Sequence, residues 1–262
     1  MKQLTLVSEC VLRDFEREIE IMQKIKCATL DCPYIVKLIG TCHTGINGMN
    51  HSGMITEYHE HGDLHGFLQK NDEITPDCLW HIAGQVCAGM LELSKHSIVH
   101  RDLAARNIMV GKKVQISDSK NNTSCSYKIA IGDFGMSRDT FTESYYKISG
   151  RAILPIRWMA WECVLNGTFS SASDVWAFGV TVWEIFSLCR AHPFTGHSDE
   201  EIIRNFYRFL SDFGVSDGIG SRLKLEKPLG LDETTWMILE ECWLKEKDDR
   251  PSFRDLAKVF TV

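Results

Sequence analysis

The amino-acid sequence predicts an α+β fold with two unequal parts, a small sheet with one long helix followed by a mainly helical remainder. Two observations indicate the first part: an apolar stripe at helical spacing over residues 12–26, and paired apolar runs at 33–58. A series of helical apolar stripes from residue 75 onward indicates the second part. A chain of 262 residues can bury a sizeable core, as one large domain or as two lobes packed together.

Composition excludes several classes of protein. The chain is 44% hydrophobic and 24% charged, as is typical of globular domains, and its net charge is −6. Because there is no long basic block, nucleic acid and an anionic membrane surface are not expected as partners. Ten cysteines without a C-x-x-C pair favour reduced thiols. The longest apolar run, Val175 to Cys189, contains Glu184 and is shorter than the roughly 20 residues of a membrane span, which predicts a buried helix and no transmembrane segment.

The first predicted elements are a short strand within residues 1–7 and a helix over 12–26. Leu12, Phe15, Ile19, Met22 and Ile25 form the apolar stripe of that helix, and Glu18 points along it. A carboxylate on such a stripe is costly unless it is paired. Two alternatives remain open at this point: a pair with Lys2, the only lysine upstream, or a side chain that reaches water at the edge of the stripe.

Two strands and a connector are predicted next. The apolar runs 34–39 and 54–58 flank a polar loop that contains glycine and asparagine, as in a hairpin. The segment 60–66 that follows is rich in histidine and glycine. Its spacing fits no zinc pattern, so a solvated connector is favoured over a metal site built from His59, Glu60, His61 and His65.

A helix is predicted from Thr75, with Ile82, Val86, Met90 and Leu93 on its apolar face. Beyond residue 107, two short apolar segments flank a polar insert at 117–126, which we interpret as a mobile hairpin loop. Residues 136–154 show no periodicity. Further helices are predicted near 174–188, 199–210, 232–243 and 252–260.

Two motifs carry chemistry. The first runs from His100 to Asn107 and places Asp102 and Asn107 five residues apart. This is the catalytic-loop spacing in which an aspartate takes or orients a substrate hydroxyl proton and an asparagine holds magnesium. The second, Asp133-Phe134-Gly135, follows an apolar segment and provides a further magnesium ligand. In this order, the two motifs are hard to attribute to chance.

With these motifs the chain resembles a protein tyrosine kinase over nearly all of its length. Leu103 to Asn107 is similar to the receptor tyrosine kinase version of the catalytic loop, and 154–159 to the segment that docks the substrate backbone. The runs 150–159 and 172–181, Trp161, Met54 to Tyr58 and Gly62-Asp63-Leu64 resemble the discoidin-domain receptors. The resemblance implies the two-lobed protein kinase fold, with a partial N-lobe at 1–58 and a C-lobe at 59–262.

The resemblance also implies roles for individual residues. Asp102 would be the catalytic base, Arg106 would support the substrate tyrosine, and Asn107 and Asp133 would bind Mg²⁺ or Mn²⁺. Glu18 would be the helix-C acid that pairs with Lys2, the lysine of the nucleotide site. For ATP, Thr56 would be the gatekeeper, and the backbone of Glu57, Tyr58 and His59 would bind adenine.

Regulatory and structural roles follow in the same way. Tyr145 and Tyr146 would be phosphorylated in an activation segment, and Arg101 would bind the phosphate. Met22, Leu38, His100 and Phe134 match a regulatory spine, and plain core packing explains them equally well. Asp174 would hold the catalytic-loop backbone, and Glu162 with Arg250 would form an ion pair.

One departure from the family pattern is the missing G-x-G-x-x-G loop, since the chain is expected to begin at about the third strand. Two hypotheses therefore stand: an active tyrosine kinase, or a truncated, non-catalytic interaction module. For the first, the resemblance implies tyrosine-bearing protein substrates, phosphotyrosine-binding signalling partners, and dimerisation in a parent receptor. The expected location is the cytoplasmic face of the plasma membrane within such a receptor, and otherwise the cytoplasm.

Overall fold

A computed structural model of the chain describes residues 2–3, 9–28, 32–46, 49–117, 123–135, 137–139, 154–211 and 223–261. Its first helix, α1, covers Glu9–Ala28 and lies on a three-stranded antiparallel sheet of order β1-β3-β2. Phe15, Met22 and Ile25 are buried, as the stripe predicts. The strands are β1 (Lys2–Gln3), β2 (Leu38–Ile46) and β3 (Met49–Thr56).

The predicted strand at 34–39 is wrong over most of its length, because β2 begins only at Leu38. The backbone of the preceding residues pairs elsewhere. Val36 N–H donates to the carbonyl of Ile131 at 2.8 Å, and Ile131 N–H donates to the carbonyl of Tyr34 at 2.8 Å. This segment therefore connects α1 and the sheet to the part of the chain that carries the two motifs.

The segment after β3 is not a connector throughout, since a helix, α2, covers Leu64–Lys70. Asp63 caps it by accepting a hydrogen bond from Gly66 N at 2.8 Å. Leu64 and Leu68 are fully buried, which anchors the helix despite its neighbouring glycines. A cap of this kind directly before a short apolar helix was not recognised in the sequence.

The helix predicted from Thr75 is confirmed as α3, Pro76–Lys95. Thr75 accepts a hydrogen bond from Cys78 N, and proline occupies the first helical turn, where its missing N–H costs nothing. Ile82, Val86 and Leu93 are fully buried in the core.

A long hairpin follows, formed by β5 (Ile108–Ser117) and β6 (Thr123–Ile131). The predicted loop at 117–126 is therefore too long, because pairing continues to Ser117 and Thr123. Residues 118–122 lie outside the described part. Buried polar contacts hold the polar strand end to α3: Ser126 Oγ lies 2.9 Å from His81 Nδ1, and Gln85 Nε2 donates to the Tyr127 carbonyl at 2.8 Å. Polar composition alone does not reveal such pairing.

The helices predicted near 174–188, 199–210, 232–243 and 252–260 are confirmed, and the last of them is shorter than predicted. The helix that begins at Ser171 is buried. A further helix, which was not predicted, covers Trp161–Asn166. Among the described helices, none combines the length and the apolar character that crossing a membrane requires. The remaining elements are β4 (Ile98–Val99), β7 (Arg138–Asp139), α4 (Trp161–Asn166), α5 (Ser171–Phe186), α6 (Asp199–Ser211), α7 (Glu233–Glu241) and α8 (Phe253–Leu256).

Candidate active site

The backbone of the first motif is held by hydrogen bonds to the start of α5. The Asp174 carboxylate accepts hydrogen bonds from His100 N at 2.7 Å and Arg101 N at 3.0 Å. Burial raises the pKa of Asp174 to about 7, while these two N–H donors and the Arg101 charge act in the opposite direction. Arg101 adopts a left-handed backbone with φ of +72°, so the loop reverses direction where the carboxylate holds it.

Asp102 faces two side chains from the turn that follows it. Arg106 Nη2 donates to Asp102 Oδ1, and Asn107 Nδ2 donates to Asp102 Oδ2 at 2.9 Å and to the Asp102 carbonyl at 2.7 Å. The turn is a single 3₁₀ turn, Ala105–Asn107, which brings residues i+4 and i+5 back over the aspartate. Both carboxylate oxygens thus have a fixed direction.

His100 connects the first motif to the second. Its Nδ1 accepts a hydrogen bond from Asp102 N at 3.3 Å, so Nε2 carries the proton and donates to the Gly132 carbonyl at 3.2 Å. The ring centroid lies 5.1 Å from that of Phe134, and both residues are fully buried. Burial lowers the pKa of His100, which keeps the ring neutral in this arrangement.

Asp133, in the second motif, carries an unusual backbone conformation. Its φ is +58°, whereas Gly135 is not among the described glycines with positive φ. Aspartate tolerates the left-handed region better than most residues. The left-handed backbone of this turn therefore lies at Asp133, whose side chain is exposed.

Glu18 lies beside the second motif. It is only 5% exposed, so the alternative in which its side chain reaches water is wrong. A Cβ built on Gly135 would lie 3.8 Å from Glu18 Oε2, which places the α1 carboxylate against this turn. Lys2 lies in β1, opposite Met54 of β3, and its side chain is outside the described part. The Lys2–Glu18 pair therefore stays a prediction.

The segment expected to bind adenine leaves the end of β3 at Thr56. Glu57 is fixed to the start of β2, because its N–H donates to the Lys37 carbonyl at 3.0 Å and its Oε1 accepts from Lys37 N at 2.8 Å. Tyr58 is 85% exposed. The His59 side chain lines a cavity of about 340 Å³ with Gly111, and burial lowers the pKa of its ring.

The structure describes some of the remaining predicted site residues but not the two tyrosines. Arg250 donates to both oxygens of Glu162, at 2.6 and 2.9 Å, and both side chains are buried. The Arg101 guanidinium lies 4.8 Å from the ring centroid of Phe169. Tyr145 and Tyr146 lie outside the described residues.

Two contacts of α5 with the catalytic loop were missed. Thr181 Oγ1 donates to the Ala177 carbonyl at 2.8 Å and lies 3.4 Å from the Leu103 carbonyl, and Glu184 Oε2 accepts from Ala105 N at 3.0 Å. Together with Asp174 these residues lie on one face of α5, seven and ten residues apart. The sequence does indicate these contacts, since a threonine and a glutamate at that spacing interrupt an otherwise apolar run.

A cavity of about 440 Å³ opens beside Asp102 and Arg106. Its other walls are mostly apolar and come from the chain that precedes α4, with His192 and Asp199 at the far side. Arg157 fixes that chain by donating to the carbonyls of Pro193 at 2.8 Å and His197 at 2.7 Å. The residues contributed by this wall are Leu154, Pro155, Ile156, Arg157 and Trp158.

Comparison with known proteins decides the family. The family model described as protein tyrosine and serine/threonine kinase matches residues 1–260. The chain belongs to this kinase family. The α+β kinase fold predicted from the sequence is confirmed.

Similar kinases are identical to the chain at more than a third of the aligned positions. The epithelial discoidin domain-containing receptor 1 of Homo sapiens is 38% identical over 264 residues, covering 94% of this chain and 26% of the relative. The discoidin domain-containing receptor tyrosine kinase B of Caenorhabditis elegans is 37% identical over 257 residues, covering 98% and 29%. The high affinity nerve growth factor receptor of Mus musculus is 34% identical, covering 98% and 29%. The predicted resemblance to discoidin-domain receptors is confirmed, and the chain spans about a quarter of the length of these relatives.

Proposed function

We propose that the chain is the catalytic domain of a tyrosine kinase that transfers the γ-phosphate of ATP to tyrosine side chains of proteins. One observation carries this proposal: Asp102, with Arg106 and Asn107 fixed on its two oxygens, faces the same cavity as the apolar segment 154–158. A peptide bound along that segment would bring its acceptor hydroxyl to the carboxylate.

In this proposal Asp102 orients the tyrosine hydroxyl and accepts its proton, which requires hydrogen-bonding reach and a fixed direction. Arg106 supports the acceptor ring and balances the charge of Asp102. His100 is neutral and buried beneath the loop, where its Nδ1 accepts a hydrogen bond from Asp102 N.

The residues at the two motifs fit ATP with magnesium. Asn107 uses its amide nitrogen on Asp102, which leaves its oxygen for a metal, and the Asp133 carboxylate is exposed. Such hard oxygen donors are the ligands that Mg²⁺ prefers, and they would also accept Mn²⁺. Bound magnesium would neutralise charge on the phosphates during transfer. Glu18 with Lys2 would orient the phosphates, and the backbone at Thr56, Glu57, Tyr58 and His59 would bind adenine.

The wider context is also a proposal. We place the domain at the cytoplasmic face of the plasma membrane within a receptor, with 1–58 as a partial N-lobe and 59–262 as the C-lobe. The likeness to discoidin-domain receptors supports this. Phosphorylated Tyr145 and Tyr146 would bind Arg101 or recruit phosphotyrosine-binding proteins.

The test is acceptor selectivity. The purified chain is incubated with ATP and either Mg²⁺ or Mn²⁺, and phosphate incorporation is measured for three peptides that differ only in carrying tyrosine, phenylalanine or serine. Incorporation into the tyrosine peptide alone is expected. Transfer to serine, or no transfer with either metal, would contradict the proposal, and the second result would favour a non-catalytic interaction module.

A further inference from the structure

Glu184 near the end of α5 is a buried carboxylate, and holding the catalytic loop explains only one of the two hydrogen bonds that it accepts. It is 2% exposed, and a single oxygen, Oε2, receives two hydrogen bonds. One comes from Ala105 N in the catalytic loop at 3.0 Å, the other from Trp158 Nε1 in the peptide-docking segment at 2.8 Å. One atom therefore fixes the distance between the two segments that must meet around an acceptor tyrosine.

The connection continues from Trp158 to the reacting groups. The guanidinium carbon of Arg106 lies 4.5 Å from the centre of the Trp158 ring, within the range of a cation–π contact. The same guanidinium donates to Asp102 Oδ1. Four side chains thus form a continuous series from Glu184 through Trp158 and Arg106 to Asp102.

Glu184 is surrounded by two hydrogen-bond donors and a nearby cation. Burial raises its pKa, while the N–H groups of Ala105 and Trp158 and the Arg106 charge favour the ionised form. Asp174 differs from it, because both of its described acceptor bonds go to the backbone of the catalytic loop. A carboxylate that served only to hold this loop would not need to contact Trp158.

We infer that Glu184 is a positioning residue for phosphoryl transfer, which fixes the peptide-docking segment 154–158 against the catalytic loop and so aims Arg106 and Asp102 at the acceptor tyrosine. The inference rests on the proposed function and adds a residue outside the two motifs. A small displacement of positioned reacting groups is costly, and a shift of about 1 Å can lower a rate by roughly 100-fold.

Two variants separate the parts of this arrangement. Trp158→Phe keeps an aromatic face for Arg106 and removes only the Nε1 donor. Glu184→Gln keeps an acceptor oxygen and removes the charge. Trp161→Phe is the matched control, because Trp161 Nε1 also donates a part-buried hydrogen bond, to the Lys245 carbonyl at 3.0 Å, outside the site.

Steady-state kinetics on the full chain give the main test. Trp158→Phe is expected to lower kcat/KM for a tyrosine peptide by about tenfold, within the range that misplacement produces, with the KM for ATP unchanged. Glu184→Gln is also expected to lower kcat/KM for the tyrosine peptide. Because both changes act on one hydrogen bond, the double variant should lose less than the product of the single effects. Trp161→Phe should match the wild type.

A second readout does not need phosphate transfer. The indole N–H resonance of Trp158 is identified by its loss in Trp158→Phe, and it should shift in Glu184→Gln. Affinity for a peptide with phenylalanine at the acceptor position should fall in Trp158→Phe and not in Trp161→Phe. Equal effects of the two tryptophan variants, in kinetics or in peptide affinity, would overturn the inference. A wild-type chain that binds this peptide but transfers no phosphate would contradict the proposed function instead.

Discussion

Single buried carboxylates determine how the catalytic loop is held. Asp174 and Glu184 are both buried, and each accepts backbone N–H groups from the loop. A buried carboxylate that lost these donors would keep the full cost of leaving water, so the loop and α5 stabilise each other. The same residues therefore affect both stability and the geometry around Asp102.

Replacing Asp174 by asparagine tests this directly. The carboxamide has one acceptor oxygen, so either His100 N or Arg101 N loses its partner and faces a second donor. We expect the free energy of unfolding in urea to fall by about 1–3 kcal/mol. Asp248→Asn, on an exposed residue, is the control and should change it by less than about 0.5 kcal/mol. A fall no larger than that of the control would show that Asp174 does not hold the loop.

A histidine outside the site gives a prediction of pH dependence. His81 Nδ1 lies 2.8 Å from the donor Gln85 Nε2, and burial lowers the pKa of the ring below 6.5. The unfolded chain therefore binds the proton more readily, so this contribution to stability is complete above pH 6.5 and is lost as the pH falls through the folded pKa.

Urea unfolding at a series of pH values measures this effect. The wild type should lose stability below pH 6.5 more steeply than His81→Gln, which does not titrate. His192→Gln, on an exposed histidine, should retain the wild-type slope. Parallel curves for wild type and His81→Gln would contradict the lowered pKa of His81 as a cause of the loss of stability in acid.

At the scale of elements, α5 organises the second part of the chain. Its buried length contacts the catalytic loop, and its first turn approaches the Arg250–Glu162 pair, since Arg250 also donates to the Ala172 carbonyl at 3.0 Å. That ion pair joins α4 to the chain before α8. It is buried on both sides, so its removal should affect the whole C-terminal part.

Arg250→Leu leaves the Glu162 carboxylate buried without its cation. We expect a loss of about 3–5 kcal/mol in the free energy of unfolding, as is usual when one partner of a buried pair is removed. Arg190→Leu is the control, because its pair with Asp72 is exposed on both sides, and it should cost at most about 1 kcal/mol. Similar losses for both variants in thermal or urea unfolding would contradict this role.

Elements with strong periodicity were predictable, and those fixed by contacts were not. The stripe that includes Ile82 and Leu93 indicated α3 correctly, because its apolar residues all face the core. The apolar run 34–39 was misread, since its backbone pairs with Ile131 rather than within the sheet. The polar start of β6 was not predicted as a strand, because Thr123 and its partner Ser117 are both polar and show no apolar alternation.

At the scale of the whole molecule, the site combines segments that are distant in sequence. Spacing revealed Asp102, Asn107 and Asp133, because they belong to short motifs. It could not place Glu18 against Gly135 or Glu184 between Ala105 and Trp158, since those contacts exist only after the chain has folded. The burial of Glu18 also decided between two alternatives that the sequence left open.

The central claim is that Asp102, held by Arg106 and Asn107, is the group that accepts the tyrosine proton. The most direct measurement is the initial rate of phosphate transfer from ATP to a tyrosine peptide by wild type, Asp102→Asn and the exposed control Asp72→Asn. We predict a loss of roughly 100- to 10,000-fold for Asp102→Asn, the usual contribution of a positioned base, and none for Asp72→Asn. Equal rates for wild type and Asp102→Asn would contradict the account.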